Sequence, residues 1–235
     1  MGQGMAVKQA SLFLLLLAGL AGACGNDPAE SLGSKLLDGV EGIARPAAQA
    51  NDAAAAGPQP TPAAAAAQLR VSLASVGVPV VQVKIATLGA DTYITPRDTN
   101  SGTETWTTAD GSIFTFREGV LISTRGAVAD LMSAAAPSAR QISSASGNHK
   151  RSYFLLGDED RTLRVDMACT LQLIGSETVE IIGRTHGTRH IRENCEGAGR
   201  TIQNEYWVDG LVGFRKSKQW VSYRLGYAEF FRVID

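Results

Sequence analysis

The clearest hydrophobic pattern in the chain has period two. Leu163, Val165, Met167, Cys169, Leu171 and Leu173 alternate with Arg164, Asp166, Ala168, Thr170 and Gln172. Alternation of this kind puts one face of a strand in a core and the other in water, as antiparallel sheets require. Further stretches of strand character fall at 69–75, 78–87, 103–108, 112–116, 120–124, 151–156, 178–184, 189–194, 202–208, 211–216 and 219–227. Ala109-Asp110-Gly111 and Asp209-Gly210 supply hairpin turns. Helical spacing is confined to 128–136 and to 31–45, where Leu32, Leu36, Leu37, Val40 and Ile43 form a stripe. Gly33, Gly39 and Gly42 weaken that second helix, and Pro46 ends it. About a dozen strands joined by short turns predict an all-β fold. An antiparallel barrel or strongly bent sheet is the expectation, with a β-sandwich as the alternative.

The amino terminus does not follow this pattern. Lys8 is followed by the apolar stretch 11–20 and then by small residues up to Cys24, the pattern of an export signal over residues 1–23. The apolar run is shorter than the roughly 20 residues a membrane-spanning helix needs. Leu20-Ala21-Gly22-Ala23-Cys24 resembles a bacterial lipobox, with Ala21 where leucine is usual, and marks Cys24 for lipidation. The alternative is an Ala-x-Ala cleavage site over Ala21 and Ala23 that leaves Cys24 free. The two or three acyl chains of a lipoprotein hold it on a membrane essentially permanently. Gly25, in place of aspartate, implies the outer membrane over the inner one. Residues 46–67 are rich in alanine and proline and read as an extended spacer. The expected organisation is a signal at 1–23, a lipidated segment with weak helix and linker at 24–68, and a β domain at 69–235.

Charge and cysteine content narrow the function classes. The formal charge is −1, and −2 once the signal with its Lys8 is gone. A near-neutral chain argues against nucleic acid, whose binding needs clustered cations. Cys169 and Cys195 share core parity and, in an oxidising compartment, favour a disulfide over two buried thiols. A loop of 195 − 169 = 26 residues closed this way is worth about 3.5 kcal/mol in the chain-entropy model.

Catalytic motifs are missing from the sequence: no nucleophile elbow, phosphate loop or His-Glu-x-x-His. His186 and His190 have the spacing that chelates zinc on a helix, but on a strand they stand about 13 Å apart. Neither metal nor cofactor is expected. Glu193, Glu196 and Glu205 offer carboxylates for a glycosidase pair, whose separation a sequence does not reveal. Between Arg184 and Arg224 eight Lys or Arg face four Asp or Glu, interleaved with Tyr206, Trp207, Trp220 and Tyr223. Arg215, Lys216, Lys218, Trp207 and Trp220 are the candidate contact for an acidic polysaccharide or an envelope secretion protein. The alternative is that the tryptophans are core and the charges a solvated face.

The stretches Thr105-Trp-Thr-Thr-Ala-Asp-Gly111, Arg117-Glu-Gly-Val-Leu-Ile-Ser-Thr-Arg-Gly126 and Asp130-Leu-Met132 resemble the YjbF/GfcB family of lipoproteins. Cys169-Thr170, Asn204-Glu-Tyr-Trp207, Ser217-Lys-Gln-Trp220 and Gly226-Tyr227 agree with it. The resemblance implies an outer-membrane lipoprotein encoded with exopolysaccharide or group-four capsule secretion components, and an antiparallel barrel. It carries no catalytic residue over. The expected function is therefore non-enzymatic support of polysaccharide secretion by binding polymer or partner proteins. The rival is a periplasmic hydrolase or lyase, which two carboxylates about 5 to 9 Å apart in a deep cleft would favour.

Overall fold

The computed structural model describes residues 60–127, 129–157, 161–210 and 213–235. Helix α1, Pro62–Ala74, is followed by β1 Val80–Ile85, β2 Ala90–Asn100, β3 Thr103–Thr107, β4 Ile113–Arg117, β5 Val120–Arg125 and β6 Leu131–Ala135. Helix α2, Ala139–Ser143, leads to β7 Asn148–Leu156, β8 Thr162–Ile181, β9 Arg184–Gly197, β10 Arg200–Asp209, β11 Gly213–Ser222 and β12 Gly226–Ile234. All pairings are antiparallel, and the 12-stranded sheet runs β5-β4-β3-β2-β1-β12-β11-β10-β9-β8-β7-β6.

Four hairpins turn on a residue–glycine pair in which both members have positive φ: Ser101-Gly102, Glu118-Gly119, Ile182-Gly183 and Ala198-Gly199. That is the type I′ geometry whose twist matches the flanking strands. At Gly119 the need is double. Its φ is +82°, and a Cβ there would lie 2.8 Å from the Phe214 ring.

The sheet curls into a nearly closed barrel whose two edge strands, β5 and β6, meet without sharing a ladder. Side chains bridge them instead. The Arg125 guanidinium donates to the carbonyls of Thr124, Leu131 and Met132. The Asp130 carboxylate accepts from the Thr124 hydroxyl and the amides of Gly126 and Ala127, while the Leu131 amide donates to Thr124 Oγ1. The family-like motif around 117–132 therefore builds the seam of the barrel.

The interior is filled by apolar side chains from both halves of the sheet, among them Ile94, Trp106, Phe114, Leu121, Leu131, Val165, Met167 and Phe230. Gln219 of β11 spans it, accepting from the Leu121 amide at 2.8 Å and donating to the Gly119 carbonyl at 3.0 Å. Helix α2 plugs one end, where Ile142 packs with Val120, Leu171, Ile191 and Tyr206. A second, smaller core lies on the outer face. There Leu73 of α1 covers Val80, Val179, Ile181, Trp207 and Val233, and Arg70 donates to the carbonyls of Ile181, Ile182 and Val233.

The barrel expected from the strand pattern is present, and several elements differ in detail. Residues 69–74 are helix, not strand, and Ser75 caps its end. Thr61 caps α1 by accepting from the Ala64 amide, Pro62 opens it, and the alanines that read as linker supply its propensity. Residues 131–135, expected as helix, form β6, because pairing with β7 overrides the helical preference of the alanines. The stretches 163–173 and 178–184 belong largely to a single strand, β8, which a bulge between Leu173 and Gly175 carries past the barrel. β2 had no sequence signal because Pro96 interrupts it at a bulge. The stretch 219–227 contains a turn and splits between β11 and β12. The export signal, Cys24, the 31–45 stripe and the spacer up to residue 59 lie outside the described residues.

Candidate functional site

Two polar arrangements stand out, one inside the barrel and one on its wall. Inside, β7 and β9 point His149, Arg151 and Glu193 at one another. Glu193 is fully buried and Arg151 is 1% exposed. Arg151 Nη1 donates to Glu193 Oε2 at 2.5 Å and to the Tyr206 hydroxyl at 3.2 Å. Asn204 Nδ2 donates to the same carboxylate oxygen at 2.7 Å and to the Tyr153 hydroxyl at 3.2 Å. His149 Nε2 lies 2.6 Å from Glu193 Oε1, and the Tyr206 hydroxyl donates to Oε2. Burial alone would raise the Glu193 pKa. The Arg151 charge, with hydrogen bonds from His149 and Asn204, outweighs that and lowers it to about 2. Burial likewise pushes the Tyr153 hydroxyl up to about 12.

The Cys169–Cys195 disulfide lies beside this cluster, joining residues directly opposite on β8 and β9. His149, Cys169 and Glu193 bring ligand-type atoms within 4.8 Å of one another. That trio does not suit a metal ion, because the Cys169 sulfur is bonded to Cys195 and the carboxylate is held by Arg151.

On the outer wall two rows of side chains cross the sheet. The first follows cross-strand pairs from Arg192 to Glu205, Lys218, Glu229, Lys84 and Asp91. Its charges alternate in sign across β9, β10, β11, β12, β1 and β2. Arg192 meets Glu205 at 3.1 Å and Lys84 meets Asp91 at 3.3 Å. The second row, two residues along each strand and so on the same face, runs His190, Trp207, Lys216, Phe231, Gln82 and Tyr93. His190 stacks on Trp207 with centroids 4.4 Å apart, and Lys216 Nζ lies 4.2 Å from the Trp207 centroid and 5.2 Å from that of Phe231. Lys218 sits over Tyr227 at 5.1 Å.

The sequence-derived candidates are thus distributed over three places. Lys216 and Lys218 are half-buried on the wall. Arg215 is 4% exposed and held at 2.8 Å by Asp209 and 2.9 Å by Asp235, so it offers no surface for a ligand. Trp207 is buried beneath Lys216 and donates to Glu177 at 2.8 Å. Trp220 is buried at the other end of β11, between Tyr153 and Tyr223. Of the proposed glycosidase carboxylates, Glu193 is locked inside and Glu205 is paired with Arg192. A shallow cleft is lined by Glu177, which accepts from Trp207, and by Asp209, which accepts from Arg215. The interior network went unread in the sequence. Its available signal was parity, since His149 and Arg151 alternate in step with Tyr153 and Leu155, and Glu193 in step with Ile191 and Cys195.

Comparisons with known proteins fit this architecture. No curated protein sequence matches the chain. Among solved structures, the hypothetical lipoprotein YmcC from Escherichia coli (K12) is similar with a TM-score of 0.63 at 16% identity, over 71% of this chain and 88% of that one. A Bacteroides fragilis protein with a YmcC-like fold matches at a TM-score of 0.34 and 13% identity, over 66% of this chain and 93% of its own. The first of these shows the fold. The model of the family described as group 4 capsule polysaccharide lipoprotein gfcB, YjbF matches residues 53–233, and the chain belongs to that family of lipoproteins.

Proposed function

We propose that the protein is a non-enzymatic outer-membrane lipoprotein, acylated at Cys24 and facing the periplasm, that supports capsule or exopolysaccharide export by holding the polymer against its outer wall. The observation that carries this reading is the double row on β9, β10, β11, β12 and β1. Sugar hydroxyls both donate and accept, so a ladder of alternating lysines and carboxylates can satisfy a glycan along its length. The neighbouring row adds the partly exposed rings of Phe231 and Tyr93, whose other sides pack on the core under α1. On this wall Arg192 and Lys218 alternate with Glu205 and Glu229, and the balance of signs favours a hydroxyl-rich chain over a uniformly charged one. The same charges argue for attachment through lipid, since each lysine facing hydrocarbon at the midplane would cost about 2–4 kcal/mol.

Replacing Lys216 and Lys218 with glutamate tests the wall without touching the buried Arg215. Exported polysaccharide should fall while circular dichroism and palmitate labelling stay as in the parent protein, and Cys24→Ser should abolish the label. Normal export from a folded, correctly lipidated variant overturns the reading. Reduced export with unchanged polymer binding would make a secretion protein the occupant of the wall.

A further inference from the structure

At the end of the barrel opposite α2, residues 129–130, 155–157, 161–163 and 222–224 line a cleft of about 540 Å³, within the range of small-ligand sites. Three of its lining side chains are large, apolar and exposed: Leu156 at 49%, Leu163 at 45% and Tyr223 at 38%. Scattered exposed apolar residues need no explanation, but three in one concavity mark a contact surface. The platform under them is rigid. Trp220 meets Tyr223 edge-on at 5.2 Å and Tyr153 at 4.8 Å, and its amide donates to Asn204 at 2.7 Å.

The cations here differ from those on the wall. The Arg200 guanidinium lies 4.1 Å from the Tyr223 centroid, and Arg224 lines the cleft and is exposed. Neither has a carboxylate partner among the described residues. Asp130, the carboxylate among the described lining residues, has both oxygens occupied by Thr124, Gly126 and Ala127. Arg161, on the same rim, is already partnered. Residues 158–160, an Asp-Glu-Asp run in the sequence, lie outside the described residues and take no part in the assignment.

We propose that this cleft binds an acidic sugar unit of the exported polymer. Arg224 and Arg200 hold its carboxylate, and Leu156 and Leu163 receive the apolar face of its ring. A planar guanidinium matches a carboxylate with two parallel hydrogen bonds, which the single ammonium of a wall lysine cannot do. The inference rests on the reading that the protein handles polysaccharide, and it assigns the charged and the hydroxyl-rich parts of the ligand to different surfaces.

The test titrates the full lipidated chain in detergent with trigalacturonate, maltotriose and inorganic phosphate, following tryptophan fluorescence and heat. Trigalacturonate should bind at least tenfold tighter than maltotriose or phosphate. Arg224→Ala and Arg200→Ala should each weaken it at least tenfold, and the Lys216→Glu, Lys218→Glu variant less than twofold. Phosphate binding as tight as trigalacturonate overturns the sugar assignment. Trigalacturonate affinity that survives both arginine variants overturns the cleft, while the export assay on the wall variant still decides the broader function. No binding of trigalacturonate overturns the proposal outright.

Discussion

β10 carries two kinds of polar site on its two faces. Asn204 and Tyr206 point inward to the Arg151–Glu193 pair, and Glu205 points outward into the charge ladder. Each site is built from cations and carboxylates within hydrogen-bonding reach. Their energetic roles are opposite. A fully buried ion pair pays a large desolvation penalty, and once formed it makes the loss of either partner expensive, because the survivor is left charged in a dry interior. An exposed pair is screened and contributes little. The interior cluster therefore specifies the fold, and the wall is left free to meet a ligand.

The largest effect should come from Glu193→Gln, which leaves Arg151 buried beside a neutral side chain. A loss of about 3–5 kcal/mol in urea unfolding is expected. The double variant Arg151→Met, Glu193→Leu should recover most of it, since it removes the charges together. A loss under about 1 kcal/mol for Glu193→Gln would break the contrast between interior and wall.

A smaller effect comes from pH. The Glu193 pKa falls from 4.5 to about 2 on folding, so the stability it contributes is present above the unfolded value and is lost as pH drops through the folded one. Unfolding free energy should decline from about pH 4.5 toward pH 2 by roughly 3 kcal/mol from this group. Glu193→Gln should lack that portion of the decline. An identical acid profile in the variant would assign acid sensitivity to other carboxylates.

The smallest effect belongs to the wall. Lys218→Ala, which leaves Glu205 and Glu229 in contact with water, should change stability by less than about 1 kcal/mol. A larger loss by thermal or urea unfolding would make the ladder structural and weaken its case as a binding surface.

How much of this was legible depended on whether burial left an alternating trace. β8 was readable because its outer face is polar over the stretch inside the barrel. The disulfide followed from parity and compartment. Helix α1 was not, because its alanines have no periodicity and its burial comes from Leu73. Type I′ turns were overlooked because Glu118, Ile182 and Ala198 are not turn-forming residues, although the glycine that follows each is. The interior network was hidden for a further reason. A charged residue at a core position reads as an interruption of the pattern, and its partner, 42 residues away in the case of Arg151 and Glu193, is visible only once the strands are paired.

The seam between β5 and β6 bears on how this protein behaves in a crowd. A sheet with unpaired edges is a template onto which a neighbouring copy can add a strand. By spreading its donors over carbonyls on both edges, Arg125 occupies the acceptors an incoming strand would use. The stretch through which the chain resembles its family thus blunts the two edges against pairing with a second copy.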